Sequence, residues 1–224
     1  MKLTFVLAES ALELVPEGLR KHPAVASDSR RRGVEAGGIL LDRSFHHAAM
    51  EKLRDGEKRG RPDLVHAAVL SVTGTPLYLD GMVKLYVHTY PDIVLEIAEE
   101  TRIPKSYERF RGLMEQGLRE EAGGGLVKAR RMGFEELVRD VRAGAVIGFS
   151  VRGKATNLEE VGEKVSGLKN PCVVIGGFPH GHFADSTAAT FDEVLRIDKR
   201  PLEAHVVASR LVYEIEKASS RMND

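Results

Sequence analysis

Two periodicities take turns along the 224 residues. Short apolar runs rich in β-branched residues predict strands near 2–8, 83–89, 92–98, 126–130, 145–150, 171–176 and 193–197. Apolar positions three and four apart predict helices near 42–54, 63–73, 104–120, 134–142, 157–166 and 201–218. Strands interleaved with helices in this way predict an α/β fold with a mostly parallel sheet flanked by helices. Pro104 and Pro201 each read as the first position of a helix, where a missing N–H costs nothing. On the first of these helices Arg102, Lys105 and Arg109 stand at spacings of three and four, so their side chains should converge on one outward face, with Phe110, Leu113 and Leu118 packing inward. Segments 18–37 and 121–125, the second carrying Gly123-Gly124-Gly125, read as loops or an inserted excursion. No repeat of fixed period appears, and one domain over 1–224 is the expectation.

Composition narrows the class. A hydrophobic fraction of 42% and a charged fraction of 29% belong to an ordinary globular chain. The longest apolar stretches, Ala145 to Phe149 and Cys172 to Ile175, are strand-sized and far short of the ~20 residues that span a bilayer. The opening Met1-Lys-Leu-Thr-Phe-Val-Leu, interrupted by Glu9, reads as a first strand rather than a signal peptide, so a cytoplasmic protein is expected. A single cysteine, Cys172, excludes an intrachain disulfide and any multi-cysteine metal site. Lys plus Arg equals Asp plus Glu at 33 each, so no global basic field marks a nucleic-acid binder. Local clusters at Arg30-Arg31-Arg32, at Lys58-Arg59 with Arg61, from Arg102 to Arg111, and at Lys128 with Arg130-Arg131 read either as solvated faces or as local anion sites.

Three motifs carry candidate chemistry. Gly148-Phe-Ser-Val-Arg-Gly153-Lys154-Ala155 nearly matches the phosphate-cradling Walker sequence, but Ala155 stands where a Mg²⁺-binding hydroxyl is needed and Thr156 comes one residue late. Nucleotide hydrolysis is therefore a remote reading. His180 and His182 flank Gly181 and His46-His47 are adjacent, yet neither pair supplies three or four converging metal ligands. There is no Gly-x-Ser-x-Gly elbow, and Cys172 falls inside an apolar strand, which argues against a nucleophilic enzyme. The run Pro171-Cys-Val-Val-Ile-Gly-Gly-Phe-Pro-His-Gly181 is more informative: a strand opens into a glycine turn at its carboxyl end, where open α/β sheets bind ligands. From the residues alone the turn is either a ligand loop or only a tight bend.

An ordered set of motifs resolves the choice by resemblance. Arg61-Pro62-Asp63-Leu-Val-His66, Tyr86-Val-His88-Thr89, Thr101-Arg102-Ile103-Pro104-Lys105 with Arg109-Phe110 and Gly112-Leu113, Ile175-Gly-Gly-Phe-Pro-His-Gly181 and Pro201-Leu202 together resemble the ribosome-biogenesis small-subunit rRNA pseudouridine-N(1)-specific methyltransferases. That family is a branch of the SPOUT, or α/β-knot, superfamily, and the chain looks like a short archaeal version. The resemblance implies a trefoil knot and a cofactor site within about 145–218, a threading that periodicity cannot reveal. It implies S-adenosyl-L-methionine held by Ser150, Val151, Gly176, Gly177, Gly181, the segment Leu195, Arg196, Ile197, Asp198, Lys199 and Arg200, and Leu202. It implies rRNA contacts at Arg61, Arg102, Lys105 and Arg109, with Asp63 orienting Arg61 and no proton acceptor identified. Lys105 departs from the Arg expected there, turning a planar bidentate phosphate contact into a point charge. Implied partners are small-subunit rRNA, small-subunit ribosomal proteins and a second copy of the chain, for which Leu202, Val206 and Val207 of the last helix offer an apolar face or serve as core. The rival reading is a non-catalytic rRNA-binding assembly factor.

Overall fold

The computed structural model describes residues 2–99, 101–120 and 126–221. Its elements run β1 (Leu3–Ser10), α1 (Pro23–Arg32), α2 (Arg43–Met50), α3 (Pro62–Thr73), α4 (Pro76–Leu79), β2 (Val83–Thr89), β3 (Ile93–Ile97), α5 (Tyr107–Arg119), β4 (Val127–Arg131), α6 (Phe134–Asp140), β5 (Ala145–Ala155), α7 (Leu158–Ser166), β6 (Pro171–Gly176), α8 (Asp185–Ala188), β7 (Glu193–Arg196) and α9 (Ala204–Arg221). The strands form one sheet in the order β4-β3-β2-β1-β6-β5-β7. Pairings of β1 with β2 and β6, and of β5 with β6 and β7, are parallel. Only β3, paired antiparallel to β2 and β4, departs from that pattern. No helix of the described residues is long and apolar enough to cross a membrane.

The central position of β1 explains its apolar run from Phe5 to Ala8. Every residue of Leu3–Ser10 is buried, as expected of a parallel strand covered on both faces. Alternation then sorts side chains between two cores. Leu3, Phe5 and Leu7 meet α3, α5, α7 and α9 on one side, in a cluster that includes Leu64, Phe110, Val161 and Leu211. Val6 and Ala8 face the other side with Tyr86, Cys172 and Val174, under Phe134 and Leu137 of α6. Burial pushes the Cys172 thiol up to about 12, so it stays protonated and inert.

The region expected to loop from 18 to 37 contains α1 instead. His22 caps it through Ala24 N–H at 3.3 Å, Pro23 occupies its first position, and Gly33 closes it at φ 64°. Periodicity missed this helix because it buries only Val25 and Asp28, too few for an apolar stripe. A satellite core of Val15, Val25, Ile39, Leu41, Ala49 and Met50 holds the excursion together. Arg32 ties it to α5 through a two-pronged bond to Glu115 at 2.7 and 2.5 Å, while Glu115 also accepts from Leu40 N–H at 2.9 Å. The short helices α4 and α8 were likewise not expected. The glycine run at 121–125 lies outside the described residues.

Both proline helix starts are displaced. The helix expected from Pro104 begins at Tyr107, after Ser106, so Arg102 and Lys105 sit on the segment leading into α5 and only Arg109 is on the helix. The reason is tertiary: the Pro104 carbonyl lies 2.7 Å from His66 Nε2 of α3, which fixes an extended approach. The inward packing is as expected, with Phe110 and Leu118 buried and Leu113 half-buried. The final helix begins at Ala204 rather than Pro201, because Asp198 accepts the Arg200 N–H at 2.9 Å and builds a turn just before it.

Candidate functional site

A cleft of about 470 Å³ opens at the carboxyl ends of β6 and β7, beside the middle of β5, a size suited to one small molecule. Its walls come from four places: the middle of β5, the end of β6 with the segment after it, the segment from β7 to the start of α9, and Leu64 of α3.

The β5 wall explains the Walker lookalike. Residues 148–155 are strand, and β5 pairs with β7 twice, Phe149 opposite Leu195 and then Lys154 opposite Leu195, so the intervening residues bulge out of register. Ser150 and Val151 ride on that bulge into the cleft. Gly153 is required by close approach, since a Cβ there would lie 2.5 Å from the Leu195 carbonyl carbon. Gly148 is likewise pressed against the Phe191 ring. These glycines serve strand packing, not a phosphate cradle, and the chain stays extended where a phosphate loop would turn into a helix.

Beyond β6 the chain lines the cleft with Gly176 and then Phe178, Pro179, His180, Gly181, His182 and Phe183. Gly181 adopts φ 94°, open to glycine and strained for other residues. Edge-on aromatic contacts run from the second core to this loop: Phe134 to Phe191 at 5.9 Å, Phe191 to Phe183 at 5.1 Å, Phe183 to Phe178 at 5.5 Å. Gly177 has a different position. Its N–H donates to Ala8 O, its carbonyl accepts from Ala11 N–H, and a Cβ would lie 2.8 Å from Ser10 Cα, so it packs on the end of β1 and does not line the cleft.

On the third wall stand Leu195, Arg196, Ile197, Asp198, Arg200 and Leu202, joined by Glu203 and Val207. Lys199 is not among the lining residues. Hydrogen bonds from the Arg200 side chain and backbone N–H hold the Asp198 carboxyl well below its usual range, so it is a fixed anion. Of the face suggested for self-association, Leu202 and Val207 belong to the cleft, while Val206 is half-buried. The fully buried stripe of α9, including Ala208, Leu211 and Ile215, packs within the chain. Sequence reasoning missed Leu64, Phe149, Phe178, Phe183, Glu203 and Val207. For Phe178 and Phe183, the signal was their position beside the glycine turn.

Three residues before Leu64 of the cleft, Arg61 stands at the start of α3. The Arg61 N–H bonds Ala11 O at the end of β1, and its guanidinium grips Asp63 at 2.8 and 2.9 Å. That bond to Asp63 raises the Arg61 pKa, and Glu203 of the cleft adds a weaker attraction. Burial works to raise the Asp63 carboxyl, but the Arg61 bond and charge outweigh it and hold the group below its ordinary value. Arg102, Lys105 and Arg109 are exposed and carry no ion pair among the described residues. His66 brings their segment to α3, reaching Pro104 and stacking on Phe110 at 4.3 Å. No group of three metal-ligating side chains converges among the described residues.

Known proteins match this chain over nearly its whole length. The description "EMG1/NEP1 methyltransferase" matches residues 5–216. The small-subunit rRNA methyltransferase Nep1 of Thermococcus kodakarensis is 38% identical over 219 residues, 96% of this chain and 98% of that protein. That of Pyrobaculum calidifontis is 40% identical over 221 residues, again 96% and 98%. The crystal structure of Archaeoglobus fulgidus Nep1 bound to S-adenosylhomocysteine superposes with a TM-score of 0.86 at 34% identity, covering 98% of this chain and all of that one. With the family description spanning nearly its whole length, the chain belongs to the EMG1/NEP1 methyltransferase family.

Proposed function

We propose that this protein methylates ring nitrogen 1 of a pseudouridine in small-subunit rRNA, with S-adenosylmethionine as donor. The observation that carries the reading is the cleft at the ends of β6 and β7, which takes Leu64 from α3, the helix at whose start Arg61 grips Asp63. The relative from Archaeoglobus fulgidus, of the same fold, is a complex with the demethylated donor. The lining suits such a molecule: Phe149, Ile175, Leu195 and Ile197 offer apolar walls to an adenine, and Glu203 offers a carboxylate to a cationic sulfonium or ammonium.

When bound, the donor supplies an already activated methyl group, which lowers the demand on protein acids and bases. The chain's own work is to hold the base in line with the donor's methyl group. Asp63 is poorly suited to take the nitrogen's proton, because both its oxygens accept from Arg61 and its carboxyl is held below the usual range. We assign it to orienting Arg61, and the proton to water. Arg61, Arg102, Lys105 and Arg109 grip phosphates, and Gly177 and Lys199 act on the donor only by shaping the loops they stand in. The same reading includes the knot within about 145–218, supported by β7 pairing beyond β5 while β5 pairs with the later β6. It also includes one folded unit for the whole chain, a cytoplasmic homodimer, and contact with small-subunit ribosomal proteins.

The deciding experiment is mass spectrometry of a pseudouridine-containing hairpin incubated with protein and S-adenosylmethionine. A gain of one methyl on pseudouridine, and none on a matched uridine hairpin, is expected. RNA binding without methyl transfer would favour the assembly-factor reading.

A further inference from the structure

Behind the cleft, the end of β1 carries a feature that neither donor binding nor RNA binding explains. Glu9 is a non-glycine residue at φ 50°, in the left-handed region that side chains avoid. It sits where the β1–β2 register shifts, between Leu7 and Ser10. Its N–H donates to His88 Nδ1 at 3.2 Å, and the opposite ring nitrogen of His88 faces Asp92 at 3.0 Å. The side chain is thereby turned out of the strand toward the segment after β6.

There the carboxylate makes two bonds. One oxygen accepts the Ala184 N–H at 2.7 Å, at the far end of the loop that lines the cleft. The other accepts from Lys58 Nζ at 2.7 Å. That ammonium stands 4.5 Å over the ring of Phe178, at the near end of the same loop, and the Lys58 stem lies where a Gly181 side chain would project, 3.1 Å from its Cβ position. Glu9 itself is 7% exposed and does not line the cleft. One buried carboxylate therefore restrains both ends of residues 178–184, through a backbone bond at one end and a lysine bridge at the other. Strained backbone persists only where the surroundings over-determine it, and here the strain is spent on aiming this carboxylate.

We propose that Glu9 and Lys58 form a latch that holds the 178–184 loop in its donor-binding shape, making Glu9 a positioning residue for the methyl donor. The proposal rests on the donor reading of the cleft. Releasing the latch lowers the fraction of molecules with a competent loop and weakens the donor in proportion, without touching the RNA surface or the transfer itself. Glu9→Gly is the informative variant, since glycine accepts φ 50° and removes the carboxylate without adding strain.

S-adenosylhomocysteine affinity by calorimetry, donor KM and kcat on the hairpin, and Tm are measured for the unaltered protein, Glu9→Gly, Glu9→Gln, Lys58→Met, and Glu9→Gly with Lys58→Met. If the competent fraction falls to a tenth, Glu9→Gly weakens S-adenosylhomocysteine and raises donor KM by about tenfold, with kcat and hairpin KM hardly changed. Glu9→Gln recovers part of the loss, because its amide oxygen still accepts from Ala184. The double variant is no worse than Glu9→Gly, because both act through one latch. Unchanged donor affinity in folded Glu9→Gly and Lys58→Met, or a fall confined to kcat, overturns the latch. Failure of the unaltered protein to bind S-adenosylhomocysteine overturns the donor reading, and the latch with it.

Discussion

Replacing Asp63 tests the link between local geometry and RNA recognition. The carboxylate meets Arg61 through two good bonds, but the side chains are 50% and 37% exposed, so after discounting for solvent the pair contributes ~0–1 kcal/mol. Asp63 also stands in the first turn of α3, where a negative charge favours the helix by about 0.3–1 kcal/mol. Asp63→Asn should therefore cost about 1 kcal/mol, or roughly 2–4 °C in Tm for a chain of this size. Asp63→Gly adds only about 0.3 kcal/mol of lost helix propensity, since Asp is itself a poor helix former. Neither approaches the ~3–5 kcal/mol of a buried charge left without its partner. RNA affinity should fall in both variants even though each makes the protein more positive, because Arg61 keeps its charge and loses its orientation. Complete loss of one charge-assisted contact would cost about 1.5–3 kcal/mol, more than tenfold in affinity, so a misaimed guanidinium should cost somewhat less. The assay pairs thermal unfolding with hairpin binding at several salt concentrations. Tighter RNA binding by a stable Asp63→Asn protein would refute the orienting role, and a Tm loss beyond ~10 °C would refute the discount for exposure.

Other outcomes follow from the same geometry. Gly176→Ala pushes the Phe178 ring toward the cleft and should weaken S-adenosylhomocysteine in calorimetry with little change in Tm, whereas Gly177→Ala drives a methyl into the Ser10 backbone and should lower Tm as well. Equal Tm losses would undo that distinction. Removing Arg61, Arg102, Lys105 or Arg109 singly should shrink the salt slope of log hairpin affinity by about 0.7 for a single-stranded phosphate contact, and an unchanged slope would take that residue off the RNA surface. His46 and His88 are buried, and burial lowers both pKa values against their nearby carboxylates, so the unfolded chain binds their protons first. Stability should be level above pH ~6.5 and fall below it, by up to about 1.4 kcal/mol per pH unit for each histidine until its folded pKa is reached. A Tm profile that His88→Asn leaves unflattened would count against this. Light scattering in moderate salt should give a mass twice 24.7 kDa, and an active monomer would remove the homodimer.

Local order was legible because it is written in short-range chemistry. The seven strands of the described residues lie close to where the apolar runs placed them, and the central ones carry the most apolar stretches, as Phe5 to Ala8 and Pro171–Gly176 do. The glycine turn at 176–181 announced itself in the same way, through a strand running into residues that tolerate unusual backbone. What escaped the sequence was decided by partners far away along the chain. Nothing near Pro104 says that its carbonyl will meet His66, 38 residues earlier, so the helix start moved to Tyr107 and the expected stripe of Arg102, Lys105 and Arg109 became a segment plus a helix. Nothing near Gly177 says that Ser10 will fill the space beside it, and nothing in Gly148 to Ala155 says that the strand will bulge and pair again with Leu195. Helix α1 was hidden for the converse reason: its anchors are Arg32 on Glu115 and Asp28 near His46, polar contacts that leave no apolar period. Hydrophobic pattern encodes which face of an element is buried. Which element it is buried against, and hence which side chains meet around the cleft, depends on chain ends and strand edges brought together only when the sheet closes from β1 to β7.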